Sequence, residues 1–400
     1  MATKTFSRTT SRVVTTTLVT ALAALGVAVP AASATERGTE TSRQESFQRQ
    51  VDAVQQTGTV GVLARSTGPR GVRYATAGVA DAETNRKARP GDKFRIASAT
   101  KTYVSTVVLQ LVGEGKLSLD DTVEDLLPGV VSGNGNDGRK ITVRQLLNHT
   151  SGLFNYTADF PALTGIAAYE AGRYTTWTDE QLVGIAMRHE PAFEPGATWS
   201  YSNTNYTLAG MIIKKVTGHT WQQEVTKRVV RPLGLRNTST PTTSSGIPGS
   251  HMKGYSAFGE AAPAIDVTAI NPSAAGAAGA MISTTGDMTT FYQALMRGKL
   301  LKPAQLKEMK KTVRAAELDE AWPGARYGLG LMEIPLTCGG SYYSHAGDLP
   351  GYATRTGATP DGRRVVVLEA TGDGSMPGTI HAASDLIDKQ LCADGADGAK

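Results

Sequence analysis

Two groups of strand-like segments, one towards each end of the chain, constrain the fold most strongly. In the amino-terminal group, "VGVLARSTGPRGVRYATAG" (residues 60–78) alternates apolar and polar residues around a Gly-Pro turn, which is typical of a β-hairpin. In the carboxyl-terminal group, "SYYSHAG", "GYATRTGA" and "RRVVVLEATG" have strand patterns, and Pro360-Asp361-Gly362 marks a turn between the last two. A final helix is predicted over about residues 379–392.

The middle of the chain, roughly residues 119–272, has a helical pattern instead. Short segments such as "ITVRQLLNH", "TDEQLVGIAM" and "YTLAGMIIKKVTG" are separated there by loops rich in Gly, Pro and Asn. Strands at both ends around this middle predict an α+β fold, with one antiparallel sheet from the terminal parts and an inserted, mostly helical region. The cleft between the two is the expected place for a site.

The first 34 residues have the pattern of a signal peptide. Three basic residues precede an apolar stretch over residues 13–29, and Ala32-Ser33-Ala34 supplies a cleavage site. A transmembrane anchor is the alternative, but the apolar stretch contains several threonines and falls short of about 20 apolar residues. We therefore expect a secreted, extracellular protein that begins at Thr35 and has no membrane anchor.

The rest of the chain is expected to form one domain over residues 44–392, with no visible repeat. The flanking segments 35–43 and 393–400 are small and polar, so both are predicted to be flexible. Without the three basic residues of the signal peptide, the formal charge falls from +5 to +2. This charge, and the lack of a basic run with interleaved aromatics, argue against a nucleic-acid partner. We expect a monomer.

Cys338 and Cys392 are the two cysteines of the chain. In an exported protein an even number most simply means one disulfide, which would tie the last helix to a nearby strand. Two free thiols are the alternative, because the sequence cannot place the Cα atoms within the roughly 7 Å that a bridge requires.

Ser98 and Lys101 open the helix predicted in "FRIASATKTYVSTVVLQLVGEGK". A serine hydroxyl is a poor nucleophile until a neighbouring base takes its proton. Positions i and i+3 share a helix face, so Lys101 can reach the Ser98 hydroxyl. At a helix N-terminus the N–H of Ser98 would also point outward and could stabilise an oxyanion.

An isolated S-x-x-K match is weak, and the chain contains a second copy at Ser250 and Lys253, in a Gly/Pro-rich loop. Two further elements follow the first copy. Tyr201 and Asn203 lie in the irregular segment "WSYSNTNY", where a phenol can transfer a proton and an amide can orient a substrate. "SHAG" then places His345 before two small residues that allow a close approach of substrate backbone.

Each of these residues also has an ordinary structural explanation: a half-buried aromatic, a turn former, a strand histidine. Their order is more specific. S-x-x-K, then Y-x-N, then H-x-G resembles the penicillin-recognising serine hydrolases, which include class C β-lactamases, DD-peptidases, D-aminopeptidases and related esterases. The chain is most similar to the soluble secreted D-alanyl-D-alanine carboxypeptidases and to D-stereospecific aminopeptidases and amidohydrolases. The resemblance covers nearly the whole mature chain, including "VVLQLVGEGKLSLDDTV", "ITVRQLLNHTSGL" and "YGLGL", and implies a β-lactamase/transpeptidase-like fold.

The resemblance also implies roles. Ser98 would form an acyl-enzyme, Lys101 or Tyr201 would accept its proton, and Asn203 would hold the acyl side chain. His345 stands where many relatives have lysine. The backbone N–H groups of Ser98 and Asp348 would form the oxyanion hole, beside Ala346 and Gly347.

The chain departs from the carboxypeptidases at the groups that bind the terminal carboxylate of their substrate. Where those enzymes have an arginine and two hydroxyls, this chain has Met332, Ala346 and Asp348. A substrate carboxylate beside Asp348, without a compensating arginine, would meet like-charge repulsion. Strict carboxypeptidase activity is therefore disfavoured, and D-aminoacyl esters, amides or substrates with a free amine are favoured.

The leading prediction is a secreted serine acyl hydrolase or transferase that acts on D-amino-acid-containing peptides, esters or amides, with β-lactams as candidate inhibitors. The alternatives are an esterase or β-lactamase of the same fold, and a penicillin-binding protein that acylates without turnover. An α/β-hydrolase is disfavoured because no G-x-S-x-G elbow is found. No cofactor is implied, and the six histidines show no metal-ligand spacing.

Overall fold

The computed structural model of the chain describes residues 1–3, 5, 7, 9, 10, 31–259, 261–372 and 376–393. Most of the predicted signal peptide and nearly all of the predicted flexible tail lie outside these residues. The chain divides into two compact units, Met1–Arg43 and Gln44–Lys400. The second unit contains the sheet and every candidate site residue. Helix α1 (Ala31–Gln55) includes the segment 35–43, for which the composition predicted a flexible chain.

The second unit is built on a nine-stranded antiparallel sheet. Its order is β2-β1-β15-β14-β12-β11-β10-β9, and β13 pairs with β14 beside this path. The strands of this sheet are β1 (Gly61–Gly68), β2 (Gly71–Gly78), β9 (Val313–Arg314), β10 (Arg326–Tyr327), β11 (Met332–Pro335), β12 (Ser341–Ser344), β13 (Gly347–Leu349), β14 (Tyr352–Ala358) and β15 (Val365–Thr371). Short two-stranded ribbons join β3 (Phe94–Arg95) to β8 (Ile282–Ser283), β4 (Ser132–Gly133) to β5 (Asn136–Asp137), and β6 (Tyr255–Ser256) to β7 (Ile265–Asp266).

The predicted sheet from the two ends of the chain is confirmed. The hairpin β1–β2 pairs Gly61 with Gly78 and Gly68 with Gly71, around the predicted turn. Strand β1 then pairs with β15, so the amino-terminal hairpin lies directly beside the carboxyl-terminal strands.

Helices cover both faces of this sheet. The helices that follow α1 are α2 (Thr100–Gly113), α3 (Val123–Leu126), α4 (Val143–Leu147), α5 (Ile166–Gly172), α6 (Asp179–Ala186), α7 (Thr204–Thr217), α8 (Trp221–Val225), α9 (Gly276–Gly279), α10 (Thr285–Met296), α11 (Pro303–Met309) and α12 (Pro377–Cys392). Helix α10 packs on β1, β14 and β15, and α12 packs on β14 and β15. Alternate residues of β15 enter two separate apolar clusters: Val365 and Val367 the first, Val366 and Leu368 the second. Because both faces are covered, β15 is apolar along most of its length.

The inserted region is helical in its first part only. Helices α3 to α8 lie within residues 123–225, and a π-helical turn extends α8 through Thr226–Val230. Residues 231–271 are then mostly loop, with the short ribbon of β6 and β7. Several of these short helices begin with a Thr capping box, as at Thr142, Thr178 and Thr220, which explains their defined starting points.

The predicted disulfide is confirmed. Cys338 bonds to Cys392 with a Cα–Cα distance of 5.8 Å. Cys392 ends α12 as expected, but Cys338 lies in the turn between β11 and β12 rather than in a strand. Within the described parts of the chain, no helix combines the length and the apolar character needed to cross a membrane.

Candidate active site

The candidate nucleophile lies on a tight turn that leads into α2. Ser98 is the middle residue of the 3₁₀ turn Ala97–Ala99, and it is half-buried between two fully buried alanines. Ala97 has a φ of +46°, a left-handed conformation that costs a non-glycine residue about 1–3 kcal/mol. The predicted helix therefore begins just after Ser98, at Thr100, and the strained turn holds the hydroxyl at the wall of the cleft.

Lys101 contacts Ser98 as the sequence predicted. Its Nζ lies 3.0 Å from Ser98 Oγ, 2.8 Å from Asn203 Oδ1 and 2.7 Å from the Ala278 carbonyl oxygen. The last two atoms only accept hydrogen bonds. A neutral amine has two N–H groups and one lone pair, so donation to both acceptors leaves the lone pair for the Ser98 hydroxyl.

The surroundings of Lys101 favour this neutral form. Its side chain is fully buried, and this burial holds the pKa of Lys101 well below its ordinary value of 10.5. The aromatic rings of Tyr201 and Tyr206 lie nearby, with their centroids 4.9 Å and 5.4 Å from Nζ.

Tyr201 stands beside the same hydroxyl. Burial raises the pKa of its phenol, and the hydrogen bond with Ser98 lowers this pKa by a smaller amount. Tyr201 therefore keeps its proton and is suited to donate it to a leaving group.

Asn203 is held by groups that the sequence did not single out. Besides its contact with Lys101, its amide Nδ2 donates to Asn155 Oδ1 and Thr157 Oγ1, both at 3.2 Å. Asn155 Oδ1 also accepts from the backbone N–H of Asn203 at 3.0 Å. These contacts fix Asn203 at the start of α7, where it faces both Lys101 and the cleft.

His345 lies between β12 and β13 rather than within a strand, because Thr356 interrupts the ladder there. Thr356 Oγ1 accepts from the backbone N–H of His345 and donates to its carbonyl oxygen, each at 3.1 Å. The ring Nδ1 lies 2.6 Å from the Ala346 carbonyl oxygen, so it carries the proton, and Nε2 accepts from the Tyr327 hydroxyl at 2.7 Å. Burial lowers the pKa of His345 to about 3. Both ring nitrogens are thus engaged within the protein, and the imidazole is neutral.

Gly347 is needed for contact with the nucleophile turn. A Cβ at this position would lie 2.2 Å from the Ile96 carbonyl oxygen and 3.2 Å from the Ala99 nitrogen. The sequence predicted that a small residue here admits substrate backbone, whereas the close neighbour in the structure is the protein's own turn. Strand β13 therefore lies directly against Ser98, and the backbone of Asp348 is held beside it.

The expectation that Asp348 has no arginine beside it is wrong. Arg355 of β14 is buried, and its Nη2 donates to Asp348 Oδ1 at 2.8 Å. The Asp348 side chain remains 41% exposed, so its carboxylate faces the cleft while the guanidinium lies behind it. The sequence contained Arg355 in "GYATRTGA", but the pairing depends on the tight turn between β13 and β14.

Met332 does not join the other predicted site residues. It is 3% exposed, opens β11 and belongs to the apolar cluster that also contains Trp199 and Tyr327. The walls of the pocket beside Ser98 do not include it.

The second S-x-x-K copy is unlike the first. Ser250 Oγ donates to Asp92, and Lys253 is ion-paired with three carboxylates instead: Asp81, Glu83 and Asp266.

A pocket of about 160 Å³ opens beside Ser98 and Asn203. It has mainly apolar walls, from the inserted region and the start of α9 on one side and from β13 on the other. They include Tyr156, Phe160, Leu163, Ile270, Pro272, Ala275, Ala278, Leu349 and Pro350. Tyr201 and His345 do not line it. A leaving group that takes its proton from Tyr201 would lie outside this pocket, which would leave the pocket to the acyl group. In the described residues, no cluster of three or more His, Cys, Asp or Glu side chains is arranged to hold a metal ion.

A beta-lactamase family model matches residues 45–388. The chain belongs to the beta-lactamase family. The predicted family of penicillin-recognising serine hydrolases and the predicted fold are thereby confirmed. A solved D-stereospecific amidohydrolase from Streptomyces sp. is 42% identical, with a TM-score of 0.80, and the match covers 88% of this chain and 99% of that one.

Two other family members are more distant. A D-amino acid amidase from Ochrobactrum anthropi SV3, solved in complex with L-phenylalanine amide, is 27% identical with a TM-score of 0.74, over 88% of this chain and 98% of that one. Penicillin-binding protein 4 of Amycolatopsis lactamdurans is 30% identical over 201 residues, which are 50% of this chain and 49% of that protein. This chain spans between 32% and 65% of the length of such curated relatives.

Proposed function

We propose that this protein is a D-stereospecific amidohydrolase that cleaves D-aminoacyl amides and esters through an acyl-enzyme on Ser98. The observation that carries the proposal is the arrangement around Lys101. Two of its three polar neighbours can only accept, so the lone pair of the neutral amine is directed at the Ser98 hydroxyl. Lys101, rather than the protonated phenol of Tyr201, is then the base.

The reaction follows from these positions. The Ser98 proton moves to Lys101 while Oγ bonds to the substrate carbonyl carbon. The carbonyl oxygen becomes negatively charged, and the backbone N–H groups of Ser98 and Asp348 stabilise it by donating hydrogen bonds. The bond to the leaving nitrogen or oxygen then breaks as that atom takes a proton from Lys101 through Tyr201. Water attacks the acyl-enzyme by the same steps in reverse, which releases the acid and returns the proton to Ser98.

The apolar pocket supports a substrate with a large apolar side chain on the acyl residue. Its walls offer Tyr156, Phe160 and Ile270 next to the carbonyl position at Ser98. Relatives with the same fold are a D-stereospecific amidohydrolase and a D-amino acid amidase that binds D-phenylalanine. Phenylalanine derivatives are therefore the first substrates to test.

The charges around the cleft favour D-amino acid amides and esters with a free amine over a dipeptide with a free carboxylate. Arg95, in the pocket wall, donates to the backbone carbonyl oxygens of Ser245 and Thr268, and Arg355 is paired with Asp348. Lys101 is neutral. Arg95 is buried and directed at carbonyl oxygens, whereas the side chain of Asp348 is 41% exposed to the cleft, and its carboxylate suits an ammonium group on the substrate.

Export is part of the proposal. The basic and apolar pattern of the first 34 residues, followed by Ala32-Ser33-Ala34, supports a cleaved signal peptide, and the disulfide supports an oxidising compartment. Amino-terminal sequencing of the protein recovered from the culture medium should give Thr35 as the first residue. Recovery of the whole protein inside the cell, with an uncleaved amino terminus, would contradict export.

The activity is tested by comparing four substrates: D-phenylalanine amide, D-phenylalanine methyl ester, the free acid D-Phe-D-Ala, and L-phenylalanine amide. We expect kcat/KM for the D-amide and D-ester to exceed that for the free acid by at least about tenfold, and the L-amide to be slower than the D-amide. Ser98→Ala should abolish turnover and the covalent adduct, while Ser250→Ala should retain both. A preference for the free acid, or an adduct that forms on D-phenylalanine methyl ester without turnover, would refute the proposal.

A further inference from the structure

His149 is a fully buried histidine behind the candidate active site, to which the reaction above assigns no role. It follows α4, and its φ of +61° is the left-handed conformation in which helices often end. Glycine and asparagine adopt this conformation most easily, so histidine is an unexpected residue here. Its sequence context, "NHTSGL", gave no sign of a link to Tyr201.

His149 binds the backbone on both sides of Tyr201. The backbone carbonyl oxygen of His149 accepts from the N–H of Ser200 at 3.1 Å. The ring Nδ1 accepts from the N–H of Ser202 at 3.2 Å, and from the Asn205 amide at 3.1 Å. The backbone N–H groups of the residues before and after Tyr201 are therefore both bound to His149.

The ring of His149 also packs against the Tyr201 side chain. Their centroids lie 4.3 Å apart with an interplanar angle of 35°. The Tyr327 ring closes another side, 4.9 Å away. Tyr201 in turn lies against the amine of Lys101, so the imidazole supports the aromatic wall that surrounds the proposed base.

We propose that His149 is a positioning residue that holds the Tyr201 phenol at Ser98 through the hydrogen bonds at its Nδ1 and carbonyl oxygen. This role rests on the proposed acylation of Ser98. Because Nδ1 accepts from a backbone N–H, the ring proton is on Nε2, and burial lowers the pKa of His149 well below its ordinary value. The ring is thus a neutral acceptor and not a second base.

Stability alone does not explain a histidine at this position. Its Nε2–H is buried and has no hydrogen-bond partner among the residues that the structure describes. An unpaired buried donor is unfavourable, and so is the left-handed backbone. Glycine would tolerate this backbone without either cost, but it would lack the acceptor aimed at the peptide after Tyr201 and the ring that packs on Tyr201.

Three substitutions separate the acceptor from the ring and from the backbone strain. His149→Asn tolerates the left-handed backbone and places an amide oxygen close to the position of Nδ1. His149→Gly tolerates the same backbone but has no acceptor. His149→Phe keeps an aromatic ring without an acceptor. His219→Gly, at a histidine whose side chain is 53% exposed, is the matched control.

The measurement is the acylation rate constant on D-phenylalanine methyl ester, from single-turnover kinetics, normalised to the active sites titrated with an irreversible acylating β-lactam. We expect His149→Gly and His149→Phe to acylate about 10 to 100 times more slowly than the parent. The dissociation constant of the substrate before acylation should stay within about twofold of the parent value. The logarithm of the acylation rate constant of His149→Asn should lie at least halfway from that of His149→Gly back to that of the parent. Loss of folded protein would lower the titrated fraction and not the rate constant of the remaining sites.

The inference is overturned if His149→Gly and His149→Phe acylate at the parent rate per titrated site, or if His149→Asn is as slow as they are. The His219→Gly control should match the parent. A parent protein that is not acylated at all would instead refute the proposed function, so the two failures are distinguishable.

Discussion

Lys101 Nζ lies 3.0 Å from Ser98 Oγ in an interior where the other two polar contacts of the amine are a side-chain amide oxygen and a backbone carbonyl oxygen. Such an arrangement would leave an ammonium group without a carboxylate partner. Neutralisation of the amine removes the cost of a buried charge and creates the base in one step. The same burial therefore explains both the protonation state and the reactivity.

The first prediction concerns the pH dependence of acylation. The rate should rise with pH and reach a plateau, because only neutral Lys101 accepts the Ser98 proton, and the midpoint should lie well below 10.5, in the direction that burial shifts the pKa. Lys101→Met should lower the plateau by about 10²-fold to 10⁴-fold, whereas Lys253→Met should have no such effect. Stopped-flow acylation between pH 5 and 10 measures both. A flat profile for the parent would contradict Lys101 as the base.

The second prediction concerns the contact between β13 and the nucleophile turn. Gly347→Ala places a methyl group 2.2 Å from the Ile96 carbonyl oxygen, so the strand has to move away from Ser98. We expect acylation to slow by about 10²-fold, because the donors to the oxyanion move with the strand. Gly184→Ala, in α6, meets no atom within 4 Å and should keep full activity. Equal activity of the two variants would show that β13 does not supply the oxyanion hole.

The third prediction concerns Asp348. Asp348→Asn keeps the backbone N–H but removes the carboxylate that faces the cleft. The preference for D-phenylalanine amide over its N-acetyl derivative should then fall by about 10-fold to 100-fold, the value of a charge-assisted hydrogen bond of about 1.5–3 kcal/mol. Asp361→Asn, on the turn before β15, is the control. An unchanged ratio of kcat/KM values would mean that Asp348 does not recognise the substrate amine.

Sequence reasoning succeeded where the information was local. Ser98 and Lys101 are three residues apart in sequence, and the strand patterns of β1, β2 and β15 were readable from the residues themselves. It failed where a role depends on a contact between distant segments. His149 binds the chain beside Tyr201 across about fifty residues, and Tyr327 binds the ring of His345 from β10, two strands away from β12. Patterns of local periodicity contain no information on such pairs.

The same distinction explains the misplaced Met332. The alignment of the short strand β11 with the carboxypeptidases put this residue at a substrate-binding position, whereas the fold places it in an apolar cluster. Substitution by arginine there would bury a cation among aromatic rings, so it is unsuited to restore carboxylate binding. The residue that brings a guanidinium to Asp348 is Arg355, on β14.

The last prediction concerns stability and Glu369. This residue is fully buried in β15, and its Oε2 accepts from Thr354 Oγ1 at 2.6 Å. Burial raises the pKa of Glu369 well above its ordinary value of 4.5, so the folded protein keeps the proton. Above about pH 4.5 the unfolded chain loses this proton and binds fewer protons than the folded state. Glu369 should therefore make the free energy of unfolding decrease with pH by up to about 1.4 kcal/mol per pH unit, until the folded group itself ionises.

Glu369→Gln tests this sign, because the amide is neutral at every pH. The substitution adds an NH₂ group that needs its own hydrogen-bond partner. Its cost is the same at every pH, so it shifts the free energy of unfolding by a constant amount and does not change the dependence on pH. From urea unfolding at pH 5, 6, 7 and 8, we expect the variant to gain stability relative to the parent as pH rises. Glu83→Gln, at a side chain that is 81% exposed, should give a curve parallel to the parent. Parallel curves for Glu369→Gln as well would mean that the carboxylate is ionised in the folded protein, with the nearby Arg355 as its counter-charge.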